Sequence, residues 1–447
     1  MSDIRLDRLN NRLFERVVET GSLVVKTLGG TRKDEIATGR FLANDAVDPA
    51  MILAPHIERT RAAIAGRSIL VVQDTTEINF SGRAARRQGL GPAGDGVSPG
   101  FFIHPQVAVD VEHGCVLGLV GAEIWTRPEG KAADRKTRSA DEKESRRWLT
   151  GAQAAGLLDG ATRIVVVGDR ESDIYALFAE RPETVHLLVR AAQDRSLEEG
   201  TSLSTVADAW PVLDTRTVEV PARRIGSAGG PRAARTARIA TRSGTITVKR
   251  PIRAGNRDHA AVVTLGLVVV SEIDPPDGVE PLVWRLLTTL PVARAAEALE
   301  VVRLYRLRWR IEEVFRSLKS DGLDLEASQV TSAKRLLNLA ALGIVAAVRN
   351  IQLVDARNGS SRPASDVVDP ADVPAIAAIS KTLEGATARQ KNPHKRGSLA
   401  WLSWVAARLG GWNCYYRPPG PKTMAAGWKR LADRLEGFVL ARRIESV

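Results

Sequence analysis

The sequence predicts an α/β protein with helical segments at both ends and a β-rich stretch inserted ahead of an acidic helix. Three observations carry this. Two short apolar runs, residues 68–73 and 163–168, each lead into an aspartate, Asp74 and Asp169, as buried strands with polar C-terminal ends do. Residues 200–290 hold several β-like runs and few helix signals. From Ala293 onward the apolar spacing is helical, apart from Pro- and Gly-rich breaks near 360–374 and 417–421.

The chain has 447 residues, which at roughly 150 per domain suggests about three structural units. Apolar residues make up 44% and charged residues 26%, which excludes a collagen-like, wholly disordered or disulfide-framework chain. No run of about 18 apolar residues occurs, and the first residues are charged. Neither a membrane span nor a signal peptide is expected, and no membrane partner. Cys115 and Cys414 lie far apart and give no zinc spacing. One disulfide stays open, but a reduced cytoplasmic protein is the expectation. Lysine and arginine total 64 against 52 acids, a net charge of +12. That excess points to a polyanionic partner, nucleic acid foremost. Thirteen of the 64 are lysine, so the excess is arginine. Arginine grips phosphate bidentately, although an arginine bias also follows genome composition.

Residues 1–60 read as helices. Arg5, Arg8, Arg12 and Arg16 share one face, and Leu6, Leu9, Leu13, Phe14 and Val17 the adjacent one. The basic stripe suits a phosphate backbone and serves equally as a solvated face. Arg32, Lys33 and Arg40 form a second basic group, with Thr31 placed to cap a new helix. Residues 81–100, with Arg83, Arg86, Arg87 and a glycine cluster, read as a loop. Residues 102–111 and 115–125 read as strands joined at Glu112-His113-Gly114. A highly charged stretch, 128–147, leads into a helix through Leu158. Beyond Asp169, a helix is expected over 172–179 and a strand over 185–190. Further β runs are 217–220, 245–248, 261–270 and 282–287. No internal repeat is found.

Ligands collect at the carboxyl ends of parallel strands. If the strands leading into Asp74 and Asp169 are neighbours, two carboxylates stand side by side. The usual relief for such a pair is a bound cation such as Mg²⁺. Either aspartate alone says little, since strands commonly end in one. The segment from Tyr305 to Lys319 says more. Read as one continuous helix, it places Tyr305, Arg308, Glu312 and Lys319 within a wedge of about 60°. Leu304, Leu307, Ile311, Val314, Phe315 and Leu318 form the adjoining apolar stripe. One face packs, and the next presents a hydroxyl, a guanidinium, a carboxylate and an amine. The plain alternative is a set of surface ion pairs, Glu312 with Arg308 and Arg316.

The spacing Tyr-x₂-Arg-x₃-Glu-x₆-Lys resembles the signature of the insertion-sequence-four family of DDE transposases, and within it the Tn-five branch. Gln73-Asp74-Thr75-Thr76 resembles the family's first aspartate block. Asp169-Arg170-Glu171-Ser172-Asp173-Ile174 resembles its second. Asp141-Glu142-Lys143-Glu144-Ser145, Arg308-Trp309-Arg310-Ile311-Glu312-Glu313, Gly397–Trp401 and Ala407–Gly411 are family-like as strings. These blocks stand in family order over nearly the whole chain.

The resemblance implies an RNase H-like catalytic core over 63–330, interrupted by a β-rich insertion at about 200–290. It also implies a helical DNA-binding segment over 1–62 and a helical dimerisation region over 331–447. By resemblance, Asp74, Asp169 and Glu312 form a triad for two Mg²⁺ ions, with Mn²⁺ able to substitute. The implied reaction is cut-and-paste transposition: hydrolytic nicking at transposon ends, hairpin formation and opening, and strand transfer into target DNA. The implied partners are double-stranded DNA, as terminal inverted repeats and target, and a second copy of the chain in the DNA complex. Arg308 and Lys319 are implied phosphate contacts, with Tyr305 bonded to a backbone phosphate. Trp284, 21 residues before Tyr305, corresponds to a tryptophan that stacks on a flipped base, or is simply a core aromatic. Arg190 matches an arginine near the DNA, and Arg32, Lys33 and Arg40 belong to the DNA-binding segment. The first aspartate arrives about twenty residues early for the family. A shortened, DNA-binding inhibitor of transposition is therefore one alternative, and an RNase H-type metal nuclease with other substrates is another.

Overall fold

The computed structural model describes residues 4–80, 87–94, 96–128, 145–222, 232–251, 259–319, 323, 325–360 and 362–445. Arg83, Arg86 and the string Asp141-Glu142-Lys143-Glu144 lie outside the described residues. Four helices come first: α1 (Ile4–Thr20), α2 (Val25–Gly29), α3 (Arg32–Ala43) and α4 (Pro49–Ile64). Side chains set their starts. Thr31 accepts the Asp34 amide ahead of α3, and Asp48 accepts that of Met51 ahead of α4, whose first residue is proline.

One mixed ten-stranded sheet follows. Its first six strands are β1 (Ser68–Gln73), β2 (Thr76–Asn79), β3 (Gly100–Asp110), β4 (Val116–Trp125), β5 (Arg163–Gly168) and β6 (His186–Arg190). The rest are β7 (Asp214–Val220), β8 (Arg235–Lys249), β9 (Val262–Ile273) and β10 (Val283–Thr288). Interleaved helices are α5 (Arg146–Gly156), α6 (Tyr175–Ala179) and α7 (Leu203–Asp208). The strand order is β2-β3-β1-β5-β6-β10-β9-β8-β7, with β4 also on β3. β1 runs antiparallel to β3 and parallel to β5, and β5 runs parallel to β6. From β6 onward every pairing is antiparallel.

The region expected as a β-rich insertion is therefore a continuation of the same sheet, joined where Leu286 pairs with Arg190. β8 is 15 residues long, far beyond the expected 245–248. Its first half mixes arginine, threonine, alanine and serine, so no apolar run marks it. Pairing with β7 and β9 on either side holds it extended. The helix expected over 172–179 begins only at Tyr175, because Asp169 caps a separate 3₁₀ turn, Arg170–Ser172.

The strand alternation explains the layers. Leu70, Val72, Val165 and Val167 point to one core, while Ile69, Val71, Ile164 and Val166 point to the other. The second core is covered by α5, α6 and α7. The first is covered by α1, α3 and α4 and by three later helices, α8 (Ala295–Arg306), α9 (Arg310–Lys319) and α10 (Ala333–Ala356). α10 is long and apolar enough to cross a membrane, yet it is buried almost throughout, against α1, α3, α4, α9 and β4. A third cluster joins the end of α10 to α11 (Val373–Leu383), α12 (Leu399–Leu409) and α13 (Pro421–Glu445).

Tyr305 to Lys319 is not one helix. α8 ends at Arg306, Leu307–Trp309 is a 3₁₀ turn, and α9 starts at Arg310. The tighter turn shifts Tyr305 relative to Glu312, so the wedge read from a uniform helix does not hold across the join. The apolar stripe does hold: Leu304, Ile311, Val314 and Leu318 are buried, and Leu307 and Phe315 pack against the same core.

Candidate carboxylate site

β1 and β5 are paired in register up to Val72 opposite Val167. Asp74 and Asp169 each stand two residues further along, so the two strand ends deliver them as neighbours. Their even spacing from Leu70 and Val72, and from Val165 and Val167, continues onto the face covered by α9. Glu312 lies in the first turn of α9. Arg308 joins them. Its Nη1 donates to Asp74 Oδ2 at 2.9 Å and its Nη2 donates to Glu312 Oε1 at 2.8 Å. The Arg308 side chain is 13% exposed, so this bridge is largely shielded from water.

Burial raises the Asp74 carboxyl from 3.8 to about 7, and the Asp169 charge adds to the effect while Arg308 opposes it. Two neighbouring carboxylates and one guanidinium leave the cluster short of positive charge. Burial also raises the Tyr305 hydroxyl, against the pull of Arg308 and Arg190.

The remaining expected residues divide into two groups. Tyr305, Trp284 and Arg190 are brought together. Trp284 and Tyr305 meet edge to face, ring centres 5.3 Å apart, and the Arg190 guanidinium lies 6.0 Å from the Trp284 ring. Strand parity explains this too, since Leu188 and Leu286, two residues from Arg190 and Trp284, point into the first core. Lys319 is not at the cluster. It sits at the far end of α9, seven residues or about 10 Å from Glu312, with Nζ 3.8 Å from Glu326. Arg32, Lys33 and Arg40 lie on α3, with Arg32 paired to Glu35 at 2.9 Å.

Two supporting networks escaped the sequence reading. On the other face of the sheet, Gln73 Nε2 donates to the Trp148 carbonyl at 3.4 Å. Its Oε1 is 3.0 Å from His104 Nε2, which therefore donates. His104 Nδ1 then accepts from Thr75 Oγ1 at 3.0 Å, and Thr75 accepts from Arg147 Nε at 3.1 Å. Burial, with the Arg147 charge, lowers His104 to about 3, so the ring is neutral with a defined tautomer. This hydrogen-bond chain ends beside the carboxyl end of β1, where the Thr75 amide donates to Asp74 Oδ1 at 2.8 Å. A histidine in the apolar run 101–111 was the available signal.

The second network anchors α9. Arg310 Nε donates to the Gly114 carbonyl at 2.7 Å, Nη1 to Glu313 and Nη2 to Asp355, both at 2.5 Å. Asp355 Oδ2 accepts the Val116 amide at 2.8 Å. One guanidinium thus ties α9 to the β3–β4 turn and to α10. Gly114 turns there at φ +63°, in a left-handed conformation that favours glycine. An aspartate inside apolar α10 was the signal.

Residues 74–351 match the transposase DDE domain family. The chain belongs to the DDE transposase family. The match begins at Asp74 itself and takes in Asp169 and Glu312. Members of this family are DNA-acting transposases and nucleases that generally use divalent metal ions. Across 97% of this DDE transposase chain and 72% of the other, it aligns with piggyBac transposase in a synaptic complex with hairpin DNA, at 8% identity and a TM-score of 0.39.

The donor chemistry fits such an ion: hard carboxylate oxygens from two strand ends and one helix, with a charge conflict between Asp74 and Asp169. Among the described residues no three acidic, histidine or cysteine side chains form a ready coordination group. Arg308 takes one oxygen each from Asp74 and Glu312.

Proposed function

We propose that this chain is a cut-and-paste transposase of the insertion-sequence-four type, with Asp74, Asp169 and Glu312 as its metal-holding residues. The observation that carries the reading is the adjacency of two strand-end aspartates, one of which, Asp74, is joined to the α9 glutamate through the Arg308 guanidinium. The sheet order, three antiparallel strands followed by two parallel ones, supports an RNase H-like core.

Divalent ions, Mg²⁺ or Mn²⁺, would activate the attacking water or 3′-hydroxyl and stabilise the leaving oxygen. The chain's own residues do the rest. Asp74 is held by the Thr75 amide and Asp169 by its cap on the 3₁₀ turn, where it accepts the Glu171 amide at 2.8 Å. These contacts fix the oxygens before substrate arrives. Arg308 supplies a phosphate-binding fork beside them, and Lys319 a second cation further along α9. Trp284, half-buried against Tyr305, offers a ring edge for an unstacked base, with Arg190 behind it. The DNA ends would be processed through hairpins by two copies of the chain.

The test uses a labelled duplex carrying the element's terminal inverted repeat, incubated with Mg²⁺ or Mn²⁺ and resolved on a denaturing gel. Nicked and hairpin products are expected from the wild type, with Glu312→Ala at least about 10³-fold slower, as for loss of a group essential to the chemistry. Wild-type rates from Glu312→Ala would remove Glu312 from the triad. Nicking without hairpins would leave a metal nuclease and remove the cut-and-paste assignment.

A further inference from the structure

We propose that Arg308 is the resident counter-cation of the carboxylate cluster, released to DNA phosphate on docking, so that ion loading and DNA binding are coupled. This rests on the transposase reading above. One guanidinium spans two elements, bonding Asp74 at 2.9 Å and Glu312 at 2.8 Å. Among the described residues neither carboxylate has another cation within ion-pair distance. Arg308 holds one oxygen of each of two carboxylates that would hold a divalent ion, and an oxygen it holds is not open to an ion at the same time. With Arg308 in place no three-ligand group is assembled among the described residues.

A phosphodiester competes well for this group, because a guanidinium binds carboxylate and phosphate with the same bidentate geometry. Arg308 also sits where it can change partners. It lies in the 3₁₀ turn between α8 and α9, with its guanidinium 6.0 Å from the Tyr305 ring and 6.0 Å from that of Trp309, which is 55% exposed. If DNA and ion both bind the form in which Arg308 has left the carboxylates, each strengthens the other by the same factor. Without DNA, the guanidinium occupies one oxygen of Asp74 and one of Glu312 and keeps the cluster idle.

The test is direct Mn²⁺ binding, read from the electron paramagnetic resonance of free ion, with and without the terminal duplex. In the absence of DNA, Arg308→Gln is expected to bind Mn²⁺ at least about tenfold tighter than wild type, with Arg308→Lys between them. DNA is expected to tighten Mn²⁺ binding to the wild type by a larger factor than to Arg308→Gln. Equal or weaker Mn²⁺ binding by both variants without DNA overturns the proposal, because a residue serving only to grip phosphate or to hold the fold would not tighten it. A wild type that binds Mn²⁺ neither with nor without DNA overturns the transposase reading itself.

A second surface carries a separate inference. The loop between α11 and α12 meets the loop between α12 and α13, through Thr387 Oγ1 and Tyr415 Oη at 2.7 Å and Arg389 6.0 Å from the Tyr415 ring. Arg389, Lys391, Lys395 and Arg396 are exposed, and their loop holds one acidic residue, Glu384. Among the described residues, Lys391, Lys395, Arg396 and Arg417 have no ion-pair partner. Arg61, Arg294 and Arg303, on other parts of the surface, are paired with Glu58, Glu297 and Glu300. Tyr415 and Tyr416 are 45% and 79% exposed beside them. Exposed cations without ion pairs, next to exposed tyrosines, carry the charge and the hydrogen-bond donors that phosphates take. We infer that these loops contact the backbone of duplex DNA.

The triple variant Lys391→Ala/Lys395→Ala/Arg396→Ala tests it. The slope of log affinity against log salt is expected to fall by about 2–3, near 0.9 per lost phosphate contact. An unchanged slope overturns the inference, whatever happens to the oligomeric state. If the wild type itself binds no duplex, the transposase reading fails with it.

Discussion

Asp74→Asn is expected to abolish strand cleavage and, in the metal-free protein, to raise stability. The Asp74 carboxyl stands at about 7 in the fold against an ordinary 3.8, because burial and Asp169 disfavour its charge. The sign follows from proton uptake. Between pH 4 and 7 the folded state binds a proton the unfolded state has lost, so the wild type loses stability as pH rises through that window. Below about 4 both states are protonated and the difference vanishes. Above about 7 the full cost of the charge is present. The cost of that charge is on the order of a few kcal/mol. Thermal melts of metal-free protein should therefore show the asparagine variant more stable by a few degrees at pH 8 and equal at pH 4. A divalent ion should narrow the gap by stabilising only the wild type. Equal melting at pH 8 would show that Asp74 carries no stored charge conflict.

The second large effect is at Asp355. Asp355→Ala leaves the Val116 amide without its acceptor and removes one of the two carboxylates that hold the Arg310 guanidinium. Breaking a buried pair from one side costs about 3 kcal/mol. Asp355→Asn should cost under about 1 kcal/mol. It keeps an acceptor for Val116, and it gives up a charge that burial already opposes, since the carboxyl is raised to about 6 despite Arg310. Chemical denaturation separates the two variants. If both unfold at the same denaturant concentration, the acceptor geometry is not what anchors α9. Loss of that anchor should also slow cleavage in Asp355→Ala, because Arg310 and Glu313 flank the first turn that carries Glu312.

These two cases mark where the sequence was readable. Asp74 and Asp169 were legible because a short apolar run leading into an acid is a local signal, and both strands begin and end where the apolar runs do. Glu312 was legible through its spacing with Arg308. The 3₁₀ break at Leu307–Trp309 was not, because Leu-Arg-Trp continues the helical apolar pattern while the backbone tightens. β8 was not, because an extended strand held by neighbours on both sides needs no apolar run. His104, Asp355 and Arg310 were passed over for a shared reason: each is a polar residue in an element whose pattern is otherwise explained, and its partners are distant in sequence.

What the order of residues determined by itself was most of the buried strands and helices, their alternation and the chemistry of the candidate ligands. Periodicity and capping act within a few residues, so they survive without a fold. Tertiary structure alone decided which groups share a charge. Pairing of β1 with β5 aligned two aspartates 95 positions apart, and packing of α9 across β1 put Arg308 between Asp74 and Glu312. An ion pair depends on the distance between charges and their shielding from water. Neither is defined until strands pair and helices cover them.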